Sequence, residues 1–269
     1  METVISADGT RIAFWREGSG PPLLLVHGGL CDHFAWFFVV PLLARKFTVY
    51  TFDRRGRGAS GDTAPYAAAR EREDIAALLR RIGEPAHLLG HSAGGILALE
   101  AAESQRDLRS LILYEPGFVI DGAREFPGPE ILAEMQSLLN AGDRDRALRI
   151  AMKEAVGASD AEIAVLAAGP GWARLLAVAS AIPNDWNLWQ ERFAPEKAAD
   201  MRTRTLMLMG SESPSWLRKG TEAIRAALPN AQLVVLPGEG HSAMISAPPL
   251  FAQALIEFAD QSGGGAHRC

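Results

Sequence analysis

The segment Gly90-His91-Ser92-Ala93-Gly94 restricts the fold of this chain more than any other part of the sequence. An apolar run precedes it at 86–89, and a run with helical character follows it at 96–103. A G-x-S-x-G segment between a strand and a helix forms a tight turn that exposes the central hydroxyl. Its glycines lack the side chains that would clash across this turn. Unless the five residues match by chance, they predict a strand, a strained turn that carries Ser92, and a helix.

Length and composition predict one large domain, with or without an insertion. The chain has 269 residues, of which 48% are hydrophobic, and this is ample for a single buried core. A formal net charge of −5 argues against nucleic acid as a partner. The apolar run 23–26 is far too short to span a bilayer, and residues 1–4 show no signal-peptide pattern. We therefore expect a cytoplasmic protein without a membrane partner, and its oligomeric state stays open.

The cysteines and histidines predict no metal centre. Cys31 and Cys269 could pair, but Cys269 is the last residue of the chain, and two free thiols in a reducing compartment are the favoured interpretation. The cysteines and histidines nowhere have the sequence spacing of metal ligands. We expect the protein to use neither a metal nor another cofactor.

Strand and helix patterns alternate along most of the sequence. Such alternation predicts an α/β fold, in which a parallel sheet is covered by helices on both faces. The predicted strands are 10–16, 23–26, 47–52, 86–89, 108–114, 205–209 and 232–236. The predicted helices are 34–45, 71–82, 96–103, 221–228 and 250–258.

Residues 117–200 interrupt this alternation. The interruption begins with a connector rich in glycine and proline and continues with helical patterns and three tryptophans between 172 and 189. We interpret it as a helical cap inserted between two core strands, and a separate small domain is the alternative. The core would then consist of 1–116 and 201–262. Residues 263–269 have the composition of a flexible tail.

Ser92 is the predicted nucleophile and His241 the predicted general base. A serine hydroxyl is a weak nucleophile and needs a base within hydrogen-bond reach. His241 lies in Gly238-Glu239-Gly240-His241-Ser242, just after the last predicted strand, where a loop can turn the imidazole over the edge of the sheet. His91 is adjacent to Ser92, so its side chain should point elsewhere and be structural. His27 is expected to support the loop after its own strand.

Ester cleavage also needs hydrogen-bond donors for the developing oxyanion, each contributing roughly 3–4 kcal/mol. The backbone N–H of Ala93, directly after the nucleophile, is one predicted donor. The second should come from the loop after the strand 23–26, where His27-Gly28-Gly29 follows. We select Gly29, because glycine lets the main chain approach the substrate oxygen closely. A simple tight turn is the alternative for this segment.

Four segments together resemble the α/β-hydrolase fold family: His27-Gly28-Gly29, Asp53-Arg54-Arg55-Gly56-Arg57-Gly58-Ala59-Ser60, Gly90-His91-Ser92-Ala93-Gly94 and Gly240-His241. Their order and spacing are similar across nearly the whole chain, with 117–200 in the usual position of the family's cap. The resemblance implies a mostly parallel central sheet flanked by helices, with an inserted helical cap. It says much less about the substrate, because this fold hosts many reactions. Residues 53–60 should form the family's scaffold loop rather than a basic ligand site.

The acid of the predicted triad departs from the commonest pattern of that family. Many members carry aspartate three residues after the glycine that ends the strand following the cap, and this position is Ser213 here. Serine cannot supply the charge that stabilises an imidazolium. Two carboxylates remain, Glu212 and Glu115, and an incomplete triad is the third possibility. We favour Glu115, which follows the strand after the nucleophile helix and resembles the acid of certain haloalkane dehalogenases and lactone hydrolases.

The favoured function is a serine hydrolase that cleaves a small or medium apolar carboxylic ester or lactone through an acyl-enzyme. A dehalogenase or an epoxide hydrolase would be expected to carry aspartate at position 92. The serine found there argues against both. Phe118, Trp186 and Trp189 are the predicted substrate-binding residues. The alternative is that they only pack the cap against the core. Two other functions stay open. The chain could be a non-hydrolytic enzyme, such as a perhydrolase or a lyase, or a ligand-sensing protein that retains the triad.

Overall fold

A computed structural model describes residues 1–105, 107–120 and 126–261 of the chain. Within these residues, eight strands form one sheet. They are β1 (Glu2–Ile5), β2 (Arg11–Glu17), β3 (Pro22–Val26), β4 (Thr48–Phe52), β5 (His87–His91), β6 (Ser110–Tyr114), β7 (Thr205–Gly210) and β8 (Ala231–Leu236). Their order across the sheet is β1-β2-β4-β3-β5-β6-β7-β8.

The sheet is mostly parallel, as the sequence predicts. β2 runs antiparallel to both β1 and β4, and all other neighbouring strands are parallel. Every residue of β3, β5, β6 and β7 is buried, which explains why apolar residues predominate in these strands instead of alternating with polar ones. The parallel arrangement brings the carboxyl ends of β3, β5, β6, β7 and β8 to one edge of the sheet.

Helices cover both faces of the sheet, as the predicted α/β fold requires. Two 3-10 turns, His33–Trp36 and Ala179–Ala181, and a π-helical turn at Met152–Val156 accompany the helices. The α-helices are α1 (Val40–Leu43), α2 (Ala68–Ile82), α3 (Ala93–Ser104), α4 (Pro129–Asn140), α5 (Arg144–Ala151), α6 (Asp160–Ala168), α7 (Trp172–Val178), α8 (Ile182–Trp189), α9 (Pro195–Ala199), α10 (Ser215–Ala227), α11 (Ala243–Ser246) and α12 (Pro248–Asp260).

Residues 117–200, called the cap segment below, connect β6 to β7 and contain helices α4 to α9. Their buried side chains, such as Leu148 and Leu188, belong to the same hydrophobic cluster as Leu97 on α3. The cap segment therefore shares its packing with the core. The predicted tail, 263–269, lies outside the described residues.

The structure differs from the sequence prediction at two places near the amino terminus. The single helix predicted over 34–45 is instead a 3-10 turn followed by the short α1, because Pro41 lacks the N–H that a continuous helix would need. The edge strand β1 was not predicted. It pairs antiparallel with β2, and alternate residues are half-buried and exposed.

Among the described residues, no single helix is both long and apolar enough to cross a membrane. Helix α6 and the segment Trp172–Trp189 satisfy the criteria of length and composition only as a pair, which is bent by 103°.

Candidate active site

Three loops at the carboxyl edge of the sheet carry the predicted nucleophile, acid and base. Ser92 joins β5 to α3, and Glu115 directly follows the neighbouring strand β6. His241 follows β8, two strands further along the sheet. Residues that are far apart in sequence meet here because parallel strands place their carboxyl ends side by side.

Ser92 occupies a strained turn, with φ 54° and ψ −121°. The turn is possible only because two neighbours are glycines. A Cβ on Gly90 would lie 2.3 Å from the carbonyl oxygen of Gly94, and a Cβ on Gly94 would lie 2.3 Å from that of Val26. Both distances are far below van der Waals contact. The G-x-S-x-G pattern is thus required by packing, and it leaves the Ser92 side chain at the surface of a cavity.

Glu115 and His241 are in direct contact. The Oε2 atom of Glu115 lies 2.5 Å from Nδ1 of His241, and Oε1 accepts a 2.8 Å hydrogen bond from the backbone N–H of Gly210. The Glu115 side chain is completely buried, so it needs such partners to be tolerated as a carboxylate. Because Nδ1 faces the carboxylate, Nε2 is the nitrogen of His241 that is left for a reacting hydroxyl.

The competing carboxylate, Glu212, lies elsewhere. It is exposed, and its Oε1 accepts a 3.0 Å hydrogen bond from the hydroxyl of Ser211. Ser213, at the position where many members of the fold family carry aspartate, is buried, and its hydroxyl has no hydrogen-bond partner within the described part of the chain. The geometry thus favours Glu115 over both later positions, and its role as the acid stays a prediction.

Backbone strain is concentrated at this edge of the sheet. Among the described residues, three that are not glycine have a positive φ: Leu30 (54°), Ser92 (54°) and Glu115 (44°). They follow β3, β5 and β6, which are adjacent in the sheet. Strained residues of this kind persist where the surrounding structure over-determines them, and they cluster at functional sites.

The two predicted oxyanion donors belong to segments that border the cavity. Gly29 and Ser92 both line the cavity, and Ala93 is the first residue of α3. Within the described residues, neither the N–H of Gly29 nor that of Ala93 donates a hydrogen bond to another protein group. Glycine is required at position 29, because a Cβ there would lie 2.3 Å from Cζ2 of Trp189.

His27 and His91 are buried supports of the site, as the sequence analysis expects. The Nε2 atom of His27 accepts a hydrogen bond from the N–H of Arg54, so its Nδ1 carries the proton and donates to the carbonyl of Gly28 at 2.9 Å. Burial, followed by the positive charges of Arg54 and Arg57, lowers the pKa of His27 well below its ordinary value. It is therefore neutral.

His91 holds the loop that carries His241, the predicted base. Its Nε2 donates to the carbonyl oxygen of His241 at 2.8 Å, and the two imidazole centroids are 4.5 Å apart. Burial lowers the pKa of His91 well below its ordinary value, and the nearby His241 acts in the same direction. A neutral His91 avoids placing a second positive charge beside the imidazolium that His241 would form.

A cavity of about 610 Å³ lies above Ser92, between the core and the cap segment. Its walls are predominantly apolar. Arg174 and Asp32 also line it, but they pair with each other at 2.9 Å, and the guanidinium of Arg174 covers the ring of Phe34. The apolar lining side chains include Phe118, Met152, Trp172, Leu175, Trp189 and Leu217.

The predicted substrate-binding residues divide into two groups. Phe118 and Trp189 line the cavity. Trp186 lies outside the lining and is completely buried, so its prediction as a contact residue is corrected. The reason is Phe126, which lines the cavity and packs edge-on against the Trp186 ring at a centroid distance of 4.7 Å.

Within residues 1–105, 107–120 and 126–261, no group of three His, Cys, Asp or Glu side chains could hold a metal ion.

A family model described as Alpha/beta hydrolase family matches residues 23–254. The chain belongs to this family. A solved structure of an alpha/beta hydrolase from Sphaerobacter thermophilus DSM 20745 agrees with a TM-score of 0.89 at 37% identity, covering 96% of this chain and 99% of that chain. The resemblance stated from the sequence is therefore confirmed.

Curated relatives of this alpha/beta hydrolase differ in name and in the length that matches. Pimeloyl-(acyl-carrier protein) methyl ester esterase of Edwardsiella ictaluri (strain 93-146) is 28% identical over 259 residues, which cover 92% of this chain and 97% of that protein. Probable oxidoreductase EphD of Mycobacterium tuberculosis (strain ATCC 25618 / H37Rv) is 41% identical over 100 residues. That match covers 35% of this chain and only 17% of EphD. Taken together with the family, the relatives support hydrolase activity.

The sequence did not predict one part of the site of this chain. Arg54 and Arg57, expected to belong to a scaffold loop, are buried together with Asp185 of the cap helix α8. Asp185 also accepts a 2.8 Å hydrogen bond from the N–H of Leu30, next to Gly29. The available signal was a carboxylate on the apolar stripe of a helix, flanked by Ile182, Trp186 and Trp189. A charged residue in such a position is almost never fully buried unless it is paired.

Proposed function

We propose that this protein is a serine hydrolase that cleaves a small or medium apolar carboxylic ester or lactone. The observation that carries the proposal is the contact between Glu115 and His241, beside a cavity that both His241 and Ser92 line. In the proposed reaction Ser92 attacks the carbonyl carbon while His241 takes its proton. The N–H groups of Gly29 and Ala93 bind the oxyanion. The tetrahedral intermediate then collapses to an acyl-enzyme, and water releases the acid.

Glu115 has two roles in this mechanism. It accepts the Nδ1–H of His241, which fixes the tautomer, and its charge stabilises the imidazolium that forms during attack. His241 then returns the proton to the leaving alkoxide, so an alcohol departs and the base is regenerated. For a lactone, the alcohol stays attached to the acyl group, so hydrolysis of the acyl-enzyme releases a single hydroxy acid.

The apolar cavity supports a neutral, apolar substrate. Among the described lining residues, the charged side chains Arg174 and Asp32 neutralise each other and leave no unpaired charge to recognise an ionised group. The named relative that is an esterase favours an ester, whereas the lactone is supported by the resemblance of the proposed triad acid to that of lactone hydrolases.

A fluorophosphonate probe tests the nucleophile. We expect one covalent adduct on the wild-type protein by intact-mass measurement and none on Ser92→Ala, because the probe reacts with an activated serine. Ser242→Ala is the matched control, since Ser242 is an exposed serine that lines the same cavity. Labelling that survives in Ser92→Ala, or disappears in Ser242→Ala, would assign the nucleophile elsewhere.

A substrate panel tests the reaction class. p-Nitrophenyl esters of graded chain length and simple lactones should be hydrolysed by the wild type and not by Ser92→Ala. Product analysis with and without peroxide separates hydrolysis from perhydrolysis. Tight ligand binding with a single slow turnover would instead indicate a ligand-sensing protein.

Replacing Phe118 by Ala should change the preference among acyl chain lengths. Phe118 lines the cavity beside Gly117, so its loss enlarges the space near Ser92. Trp186→Ala is the comparison variant, because Trp186 is buried outside the lining. It should lower the free energy of unfolding by about 3–5 kcal/mol and leave the ratios of kcat/KM between esters unchanged. Equal ratios in wild type and Phe118→Ala would show that the Phe118 ring is only a packing residue.

A further inference from the structure

The peptide group between Gly28 and Gly29 is held from its carbonyl side. The Gly28 oxygen accepts hydrogen bonds from Nη1 of Arg54 at 3.1 Å and from Nδ1 of His27 at 2.9 Å. A peptide group is planar, so fixing this carbonyl also fixes the direction of the Gly29 N–H. A carbonyl bound to a cation is polarised, and this strengthens the N–H of the same peptide as a donor.

The other side of Gly29 is held from the cap segment. The Leu30 N–H donates to Oδ2 of Asp185 at 2.8 Å, in a residue whose φ of 54° requires external support. The ring of Trp189 packs against the Cα of Gly29, where a side chain could not fit. Asp185 and Trp189 are four residues apart on α8 and therefore share one face of the helix. This face closes over the loop that carries the proposed oxyanion donor.

A cluster of charged side chains connects the groups that hold Gly28 and Leu30, on the two sides of Gly29. Oδ1 of Asp185 accepts from Nη2 of Arg57 at 2.5 Å and from Nη1 of Arg54 at 3.1 Å. Arg54 is in turn fixed by Glu71, which accepts from Nε and Nη2 at 2.6 and 2.7 Å. The side chains of all four residues are at most 2% exposed. Two cations and two carboxylates thus form a balanced buried cluster that touches the loop on both sides of Gly29.

We propose that Asp185 is a positioning residue for the oxyanion hole, through which the cap segment sets the orientation of the Gly29 N–H. Asp185 contacts neither the nucleophile nor the base, so it acts through the loop 28–30 and through Arg54. This proposal rests on the proposed function, because it assigns Gly29 to the oxyanion. It gives the cap segment a part in catalysis beyond lining the cavity.

The proposal predicts a specific kinetic signature. The oxyanion exists only after attack, and misaligned donors therefore raise the barrier without weakening substrate binding. Asp185→Asn replaces one acceptor oxygen by an amino group that faces Arg54 or Arg57. We expect kcat to fall about 10- to 100-fold with KM within about twofold, a smaller loss than the 10²–10³ seen when a donor is removed outright.

Ester hydrolysis by purified full-length variants tests the signature. Reaction with excess fluorophosphonate to its end point counts the competent serines, and kcat is expressed per competent site. A purely structural role of Asp185 would lower this count and leave kcat per site unchanged. Asp185→Glu is measured in parallel because it keeps the negative charge beside Arg57 while moving the carboxylate relative to the Leu30 N–H. If Asp185→Asn fails to fold, Asp185→Glu should still fold. It should also lower kcat per site.

Asp74→Asn is the matched control. Asp74 on α2 is an equally buried carboxylate that accepts hydrogen bonds from Arg55 at 2.7 and 2.8 Å. Neither of these hydrogen bonds involves the loop 28–30. It should keep kcat per site within about twofold of wild type. The proposal is overturned if both Asp185 variants keep kcat per site, or if Asp74→Asn lowers it equally. A wild type without Ser92-dependent hydrolysis would instead refute the proposed function.

Discussion

Replacing His241 by Ala is expected to lower kcat for ester hydrolysis by about 10⁴–10⁶, nearly as much as Ser92→Ala, because nucleophile and base act as one unit. Without His241, the Ser92 hydroxyl keeps its proton at neutral pH and the leaving alkoxide has no acid to protonate it. The measurement is the steady-state rate with the best p-nitrophenyl ester, corrected for hydrolysis in buffer.

The double variant sharpens this expectation. Ser92→Ala with His241→Ala should be barely slower than either single variant, since each change alone already removes the shared function. His33→Gln is a suitable control, because His33 binds Asp53 at 2.6 Å, stacks on Trp15 and lies outside the cavity lining. A His241→Ala enzyme within about tenfold of wild type, or about 1.4 kcal/mol, would move the base to another residue.

The sequence predicts the elements around Ser92 well because local and global constraints agree there. Gly90 and Gly94 are required by the turn itself, and the short apolar runs in β3, β5 and β6, bounded by glycine or proline, fit buried strands. Where local signals compete, prediction fails. Apolar residues at helical spacing over 34–45 suggested one long helix, and Pro41 divides the segment.

The cap segment is harder to predict because its side chains are sorted by tertiary packing. Trp186 and Trp189 are three residues apart on one helix and look equivalent in the sequence. Phe126 separates Trp186 from the cavity, whereas Trp189 lies against Gly29. Asp185 contacts Leu30 across 155 positions of sequence. A single sequence gives no distance information over such a separation, so this contact had to come from the structure.

Replacing Glu115 by Gln is expected to lower kcat on the order of 10³–10⁴, by analogy with amide replacement of a triad acid. Glu115 accepts hydrogen bonds from two donors, the N–H of Gly210 and the Nδ1–H of His241. An amide has one acceptor oxygen and one amino group, so it can satisfy only one of these donors. If the oxygen stays on Gly210, the amino group faces His241 and favours the tautomer with its proton on Nε2. That tautomer cannot accept the proton of Ser92.

Glu212→Gln is the matched control for this variant, because Glu212 is the rival carboxylate and is solvent-exposed. Its loss should leave kcat within about twofold, since its Oε1 is bound to Ser211 and His241 is bound to Glu115. The variants are compared by kcat per fluorophosphonate-reactive site, so that loss of folded protein does not count as loss of catalysis. If Glu115→Gln retained most activity while Glu212→Gln lost it, the acid would follow β7 instead of β6. The buried contact between Glu115 and His241 would then be structural.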